Sequence, residues 1–478
     1  MTPHSEKMRL EKDSIGTKQI PADVYYGVQT ARAVENYAIS GMRAHPSLIH
    51  AFGMIKKAAA EANKTLGLVE LTKADAIISA ATEVSRGRWD EQFVVDVFQA
   101  GAGVSFHMNV NEVIANRATQ IMGGQLGEYL VHPNDHVNYG QSTNDVFPTG
   151  MRLGALLVLR ELYPVLSTLS NELDKKAAEF HGVIKSGRTH LQDAVPLRLG
   201  QEFAAYAVAV QRCNEGLQSA ADLLRELGLG GSAVGTGINT HPDYRALAIA
   251  SLTKISGENL LPSSDMRYAM QSNYAIGAVS AALRNLACEV IRISNDLRLL
   301  ASGPNTGFAE INLPSLQPGS SIMPGKINPV MPEVAAMVAF QVMGNDLAVA
   351  LAVQAGQLEL NVMMPTMSYS VMQSVTILTN MLHLFTERCI KGITVNQKRC
   401  EFFAQSTVAL ATALNPYIGY ARAAEVAKES VASGRSIIDI AREKNLLSEE
   451  EITEILNPSR MTEPQISLKT TVSEKKKT

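Results

Sequence analysis

From Ile276 onward, apolar residues recur at Val279, Leu283, Leu286, Val290, Ile293, Leu297 and Leu300, in alternating steps of three and four. That spacing predicts a helix packed at a shallow angle inside a bundle. Leu159, Leu162, Leu166, Leu169 and Leu173 repeat the pattern, with Pro164 expected to bend their helix. No proline interrupts 270–303 or 333–364; at ~1.5 Å rise per residue, such helices span roughly 45–50 Å. Residues 197–227 and 366–390 read as helices too. Five helices of this length carry more apolar surface than a small monomer can hide. The pattern therefore predicts a bundle continued into other subunits.

Elsewhere the pattern is shorter. Residues 48–82 and 108–122 carry helical periodicity rich in alanine. Between them, Gly101-Ala102-Gly103-Val104-Ser105 reads as a glycine-hinged turn entering a helix. Residues 1 to about 35 read as irregular, strand or turn structure. Past 398, Thr407–Leu414, Arg422–Ser433 and Ser448–Leu456 read as short helices of a small domain. The division implied is 1–145, mixed but mostly helical; 146–398, a long-helix bundle; and 399–478, a small helical domain. The fold class is all-α.

Composition narrows the partners. The 478 residues are 46% hydrophobic and 19% charged, with a net charge of −3, so neither nucleic acid nor a membrane surface is an expected partner. The Lys-Lys-Lys near the C-terminus reads as a solvated tail. No uninterrupted apolar run of membrane length and no signal-peptide h-region is evident in the sequence. Cys213, Cys288, Cys389 and Cys400 lack metal-ligand spacing and read as buried thiols of a reducing compartment. The expected location is cytoplasmic. Apart from His132 and His136, four residues apart, the ten histidines are scattered without Cys/His spacing, and neither metal nor cofactor is expected. Gly228-Leu229-Gly230-Gly231-Ser232-Ala233 brushes against a dinucleotide fingerprint, but the run before it reads as helix rather than strand.

Candidate chemistry lies in four separated stretches of small polar residues: Gly101–Asn109, Gln141-Ser142-Thr143-Asn144-Asp145, Gly187-Arg188-Thr189-His190-Leu191-Gln192-Asp193, and Gly319-Ser320-Ser321-Ile322-Met323-Pro324-Gly325-Lys326-Ile327-Asn328-Pro329. Hydroxyls, amides, an imidazole and an ammonium, with few aromatics nearby, suit a small anion bearing two carboxylates. In the last stretch, paired serines behind a glycine offer a hydroxyl base beside free N–H groups that can hold negative charge. Lys326 adds a cation and Asn328 adds amide donors, while Pro324 and Pro329 exclude a regular helix.

All four stretches, in this order, resemble the aspartase/fumarase superfamily, and the 319–329 loop resembles its signature almost letter for letter. The opening Tyr25-Tyr26-Gly27-Val28-Gln29-Thr30 is similar as well. The resemblance implies a three-domain fold with a central five-helix bundle forming the core of a homotetramer. It also implies anti elimination from a small dicarboxylate. Ser142-Thr143, Asp193-Ala194-Val195-Pro196, Asn328 through Glu333 and Gln357 through Met363 resemble the aspartate ammonia-lyase branch; Val131–Asp135 and Asn239–Pro242 are similar to class II fumarases. Carried over, the resemblance makes Ser320 the base. It sets Lys326 and Asn328 on the α-carboxylate, and Ser142, Thr143 and Ser321 on the carboxylate that becomes an enediolate. Asn144, Thr189 and His190 fall around the amino group. Three positions depart from the family: Val104 where threonine is usual, His107 where asparagine is common, and Met364 in place of a charged residue. His107 could supply the donor that Val104 lacks, and a substituted aspartate is an alternative substrate.

Overall fold

The computed structural model describes residues 7–464, so the Lys-Lys-Lys tail lies outside the described residues. The chain opens with an antiparallel hairpin, β1 (Met8–Asp13) and β2 (Gly16–Pro21). A helix, α1 (Val28–Asn36), follows where only strand and turn were expected. Its first-turn N–H groups would otherwise lack partners. The buried Glu112 carboxylate accepts them from Gly27, Gln29 and Thr30, a long-range contact that local pattern does not reveal.

The stretch 48–82 is two helices, α2 (Pro46–Thr65) and α3 (Leu71–Ser85), because Gly67 at φ 69° ends the first in a left-handed turn. Next come α4 (Val104–Ile121) and α5 (Thr143–Glu179), the latter running through Pro148 and Pro164. Strands β3 (Ile184–Ser186) and β4 (Pro196–Arg198) pair ahead of α6 (Leu199–Asp222). Strand β5 (Glu226–Leu227), α7 (Tyr244–Ser256), β6 (Leu261–Pro262) and α8 (Met266–Gln271) lead to α9 (Tyr274–Leu300). After β7 (Ile311–Asn312) come α10 (Val330–Gln354), α11 (Met364–Arg388) and β8 (Thr394–Val395). Helices α12 (Gln397–Ser406), α13 (Asn415–Ile418), α14 (Tyr420–Ser433), α15 (Ile437–Glu443) and α16 (Glu449–Ile455) complete the described chain. The fold is helical, with small two-stranded pairings.

All eight seam positions of α9 are at most 7% exposed, and the five leucines of α5 at most 1%. The helix expected over 333–364 stops at Gln354. There Asn361 folds back and donates from Nδ2 to the carbonyls of Ala352 and Val353, closing α10 before α11 starts.

Two compact units emerge, and each of the five long helices passes from one to the other. The first comprises Met1–Leu166, Arg212–Val290 and Ala336–Leu382; the second comprises Ser167–Gln211, Ile291–Ala335 and His383–Thr478. The division in chain order at 145 and 398 is thus a different cut from this one. In the first unit, Asp346 of α10 accepts from Ser280 and pairs with Arg284, both on α9. Asn345 donates to Gln373 and Ser374 of α11. Gly154 of α5 lies against Met372 of α11. In the second unit, Ser170 of α5 donates to the Ala207 carbonyl of α6, and the Tyr206 hydroxyl of α6 donates to Asp296 of α9. The short C-terminal helices share a core of their own, including Leu410, Leu414, Val426, Ile437, Ile440, Ile452 and Leu456.

One expectation is refined and one corrected. Helices α5, α9 and α10 are, by length and composition, apolar enough to cross a membrane. Their apolar residues are interleaved with small polar ones, which hid the run from a search for unbroken stretches. The Arg284–Asp346 pair bridges α9 and α10 within these helices, a costly group to place in hydrocarbon. Nor are all the thiols buried: Cys389 and Cys400 are, Cys213 is half-buried and Cys288 is exposed.

Candidate active site

In the first unit the beginnings of α4 and α5 meet. Gly103 caps α4 at φ 90°, and Phe147 of α5 lies where a Cβ on Gly103 would sit, 2.1 Å from that position. Only glycine permits this approach. Val104, the first residue of α4, is exposed. Further along α4, His107 bonds Thr143, which with Ser142 and Asn144 stands at the start of α5. Ser142 Oγ accepts the Asn144 N–H at 3.2 Å, and Asn144 Nδ2 donates to the Ala233 carbonyl at 2.8 Å. Two helix N-termini bring their positive dipole ends together here, an arrangement suited to an anion, although several first-turn N–H groups already have partners: Asn144 on Ser142 Oγ, Phe106 on Gln99 Oε1 and Val104 on the Gly101 carbonyl.

Behind this corner is a buried polar brace. Asp145 accepts N–H groups from Ser142, Gly230 and Ser232 at 2.9, 3.0 and 3.1 Å. Burial pushes its pKa up to about 6, against the pull of those N–H groups and of Lys56. The glycine-rich stretch at 228–233 therefore wraps a carboxylate of its own chain. A two-residue strand, β5, precedes it instead of the helix expected there. His107 bonds Thr143 Oγ1 through Nδ1 at 2.8 Å and Lys56 Nζ through Nε2 at 2.7 Å. Lys56 also donates to Asn138 Oδ1 and Gln141 Oε1, both at 2.9 Å. With both ring nitrogens engaged and 1% exposure, His107 is not a donor aimed at substrate in place of Val104. Burial and the neighbouring Lys56 hold it well below the usual histidine range, hence neutral. Met364 is also buried.

The second unit holds the other candidates. Arg188 makes two bonds to Glu310, at 2.9 and 3.0 Å, with its guanidinium against Phe308 and Phe403. This clamp fixes the residue before Thr189 and His190. His190 and Leu191 follow at φ 56° and 58°, left-handed values that cost a non-glycine residue energy and need such support. Thr189 and His190 are exposed. In the signature loop, Ser320 Oγ accepts two backbone N–H groups, from Ile322 at 3.2 Å and Met323 at 2.9 Å. Lys326 Nζ donates to Asn328 Oδ1 at 2.6 Å, and Asn328 Nδ2 donates to the Gly319 carbonyl at 2.7 Å. Residues 321–327 are all exposed, Ser321 among them.

The structure thus groups Val104, Ser142, Thr143 and Asn144 in one unit. Thr189, His190, Ser320, Ser321, Lys326 and Asn328 belong to the other. A family model described as lyase matches residues 16–344, and one described as the fumarase C C-terminus matches 410–463. The chain belongs to the aspartase/fumarase superfamily. It is 48% identical to an aspartate ammonia-lyase of a Bacillus species over 96% of this chain and 98% of that one. It is equally 48% identical to a class II fumarate hydratase of Halobacterium salinarum, again over 96% and 98%. The crystal structure of a fumarate lyase:delta crystallin from Brucella melitensis superposes with a TM-score of 0.93 at 46% identity, covering 96% of this chain and all of that one.

Sequence reasoning missed Lys56 and the Arg188–Glu310 clamp. One signal for Lys56 was present: it occupies a core-facing position of α2, between the buried Phe52, Ile55 and Ala59. A lysine on an apolar face needs buried partners.

Proposed function

We propose that this lyase is an aspartate ammonia-lyase, eliminating ammonia from L-aspartate to give fumarate. The observation that carries the elimination chemistry is the pair of N–H groups on Ser320 Oγ. A serine hydroxyl is a weak base because its oxyanion is costly, and two fixed donors lower that cost. Ser320 would take the proton beside one carboxylate, whose electrons collect on that carboxylate as an enediolate; collapse then breaks the neighbouring C–N bond. The convergent starts of α4 and α5, with Ser142 and Thr143, suit the carboxylate that gains charge, joined by Ser321. Lys326 and Asn328 would hold the other carboxylate. Asn144, Thr189 and His190 would surround the leaving amino group, with His190 as its proton partner.

Equal identity to an ammonia-lyase and a hydratase leaves the branch to individual residues. Ser142-Thr143 and Asp193–Pro196 favour the ammonia-lyase. His132-Pro133-Asn134-Asp135 and Asn239–Pro242 favour a hydratase acting on malate and fumarate, the second reading. Measuring fumarate absorbance with L-aspartate and with L-malate separates the two: turnover of malate alone would overturn the assignment.

The outward face of α10, with Val334, Met337, Phe340, Leu347 and Leu351 exposed, supports assembly into a homotetramer with active sites composed from several subunits. Mixed Ser320→Ala and Thr143→Ala subunits, unfolded and reassembled together, should then regain part of the activity. Absence of recovery in tetramers that do mix would count against shared sites.

A further inference from the structure

The Thr143 hydroxyl has a buried side-chain partner that the proposed reaction does not use. That partner, His107, is itself held from behind by Lys56. The protons in this chain can be assigned from its ends. Asn138 Nδ2 donates to the Gln141 carbonyl at 3.2 Å, and Gln141 Nε2 donates to the carbonyls of Val137 and Tyr139 at 3.1 and 3.3 Å. Both amides are thereby oriented, and both turn their oxygens toward Lys56 Nζ. Around Lys56, then, lie two carbonyl oxygens and one ring nitrogen. An ammonium with three protons satisfies all three, and the nitrogen facing it, His107 Nε2, is then the unprotonated one; a neutral amine would instead donate to the two carbonyls and accept from Nε2–H. The single ring proton sits on Nδ1 and is donated to Thr143 Oγ1. Thr143 accepts there, so its own O–H proton is free to point elsewhere.

We propose that Lys56 and His107 are positioning residues that set the direction of the Thr143 hydroxyl proton, turning it toward the substrate carboxylate bound at the start of α5. The opposite tautomer would do the reverse: Thr143 would spend its proton on Nδ1 and present only lone pairs to an anion. This inference rests on the reading of Thr143 as a carboxylate ligand. The same observations also explain how histidine is accommodated at this position. Its second nitrogen is met by the lysine rather than left buried without a partner, which would be costly. Asp145, Thr143, Asn138 and Gln141 are the other polar groups around the pair, with the Tyr244 hydroxyl beyond Asp145. Burial holds Lys56 well below the usual lysine range, and the buried Asp145 carboxylate opposes that and favours the charged form.

The test is a double-mutant cycle on the full-length enzyme, with KM and kcat for L-aspartate measured in wild type, His107→Ala, Thr143→Val and the double variant. His107→Ala should raise KM about tenfold, the scale of one hydrogen bond to a charged group. In the Thr143→Val background the same change should have little effect, because there is no hydroxyl left to direct. His107→Asn should recover part of the loss, since a carboxamide can accept from Lys56 and donate to Thr143. Equal KM increases from His107→Ala in both backgrounds would overturn the positioning role while leaving Thr143 as a ligand. An unchanged KM in Thr143→Val would instead overturn the carboxylate reading itself. Nitrogen-15 NMR of the folded wild type is independent of activity and of variant folding. It should show a neutral His107 protonated on Nδ1, and protonation on Nε2 would overturn the proposal.

Discussion

The corner at the starts of α4 and α5 and the loop at 319–328, which we propose serve one reaction, are built by opposite means. Every bond in the loop is local: Ser320 to Ile322 and Met323, Lys326 to Asn328, Asn328 to Gly319. Its residues are largely exposed. The corner is braced through buried groups from far along the chain, with Lys56 on α2, His107 on α4, and Gly230 and Ser232 on a loop reaching Asp145 of α5. A local loop can open and close without disturbing the fold. A braced corner holds its donors in place before the charge arrives, which is what stabilising a developing anion requires. Local bonding and long-range bracing are divided between the two.

The sharpest way to break this comparison is to remove chemistry from the loop without touching structure. Ser320→Ala deletes a hydroxyl from an accessible loop, so kcat should fall ~10²–10⁴-fold, the usual range for a general base. Melting temperature and assembly should stay at wild-type values. Retention of more than about a tenth of the rate would show that the base lies elsewhere.

Removing support from the braced region should have the converse effect, with stability changing first. Glu112 takes four hydrogen bonds, three from the start of α1 and one from the Thr30 hydroxyl, yet burial raises its pKa to about 7. Asp145 is raised to about 6, also by burial. A folded-state pKa above the unfolded value near 4 means that protons bind the native state more tightly. The resulting stabilisation is complete below pH ~4 and is lost as pH rises through 6 and 7. For Glu112 the shift corresponds to something of order 3 kcal/mol. Glu112→Gln removes the titration, so the stability gap between wild type and variant should narrow as pH rises from 5 to 8 in urea melts. A gap that widens with pH would mean that the hydrogen bonds outweigh burial.

The same division decides what could be read from the sequence. The α9 seam was legible because each of its buried residues follows from the one before at helical spacing. The loop was legible because its partners are neighbours in the chain. Nothing local marks Lys56 as the partner of a histidine 51 residues away, or Glu112 as the cap of a helix some 80 residues earlier. The end of α10 at Gln354 was hidden for a related reason. The side chain that closes it, Asn361, comes from beyond the helix, in a stretch that otherwise continued the apolar pattern.

Lys326→Ala tests the loop's second role at a smaller scale. In the structure its ammonium rests on Asn328 Oδ1 in the exposed loop, free to exchange that neutral partner for a carboxylate. A charge-assisted bond contributes ~1.5–3 kcal/mol, so KM for L-aspartate should rise roughly ten- to a hundredfold while stability is unchanged. An unaltered KM would place the lysine outside the site.

The smallest expected effect bears on how complete the corner is. Val104 begins α4 and is exposed, at a position where the family usually has threonine. Threonine matches valine in shape, so Val104→Thr should leave packing intact and add one hydroxyl to the anion-binding corner. His107 cannot already be doing this work, because Thr143 and Lys56 occupy its two nitrogens. The gain should therefore be a full hydrogen bond to a charged group, with kcat/KM for L-aspartate rising about tenfold. Suppose instead that the variant loses activity toward aspartate, and that wild type prefers N-methylaspartate or 3-methylaspartate in the same assay. Val104 would then be making room for a methyl group rather than lacking a hydroxyl. The elimination chemistry of the loop would stand, and the braced corner would be what sets the choice of substrate.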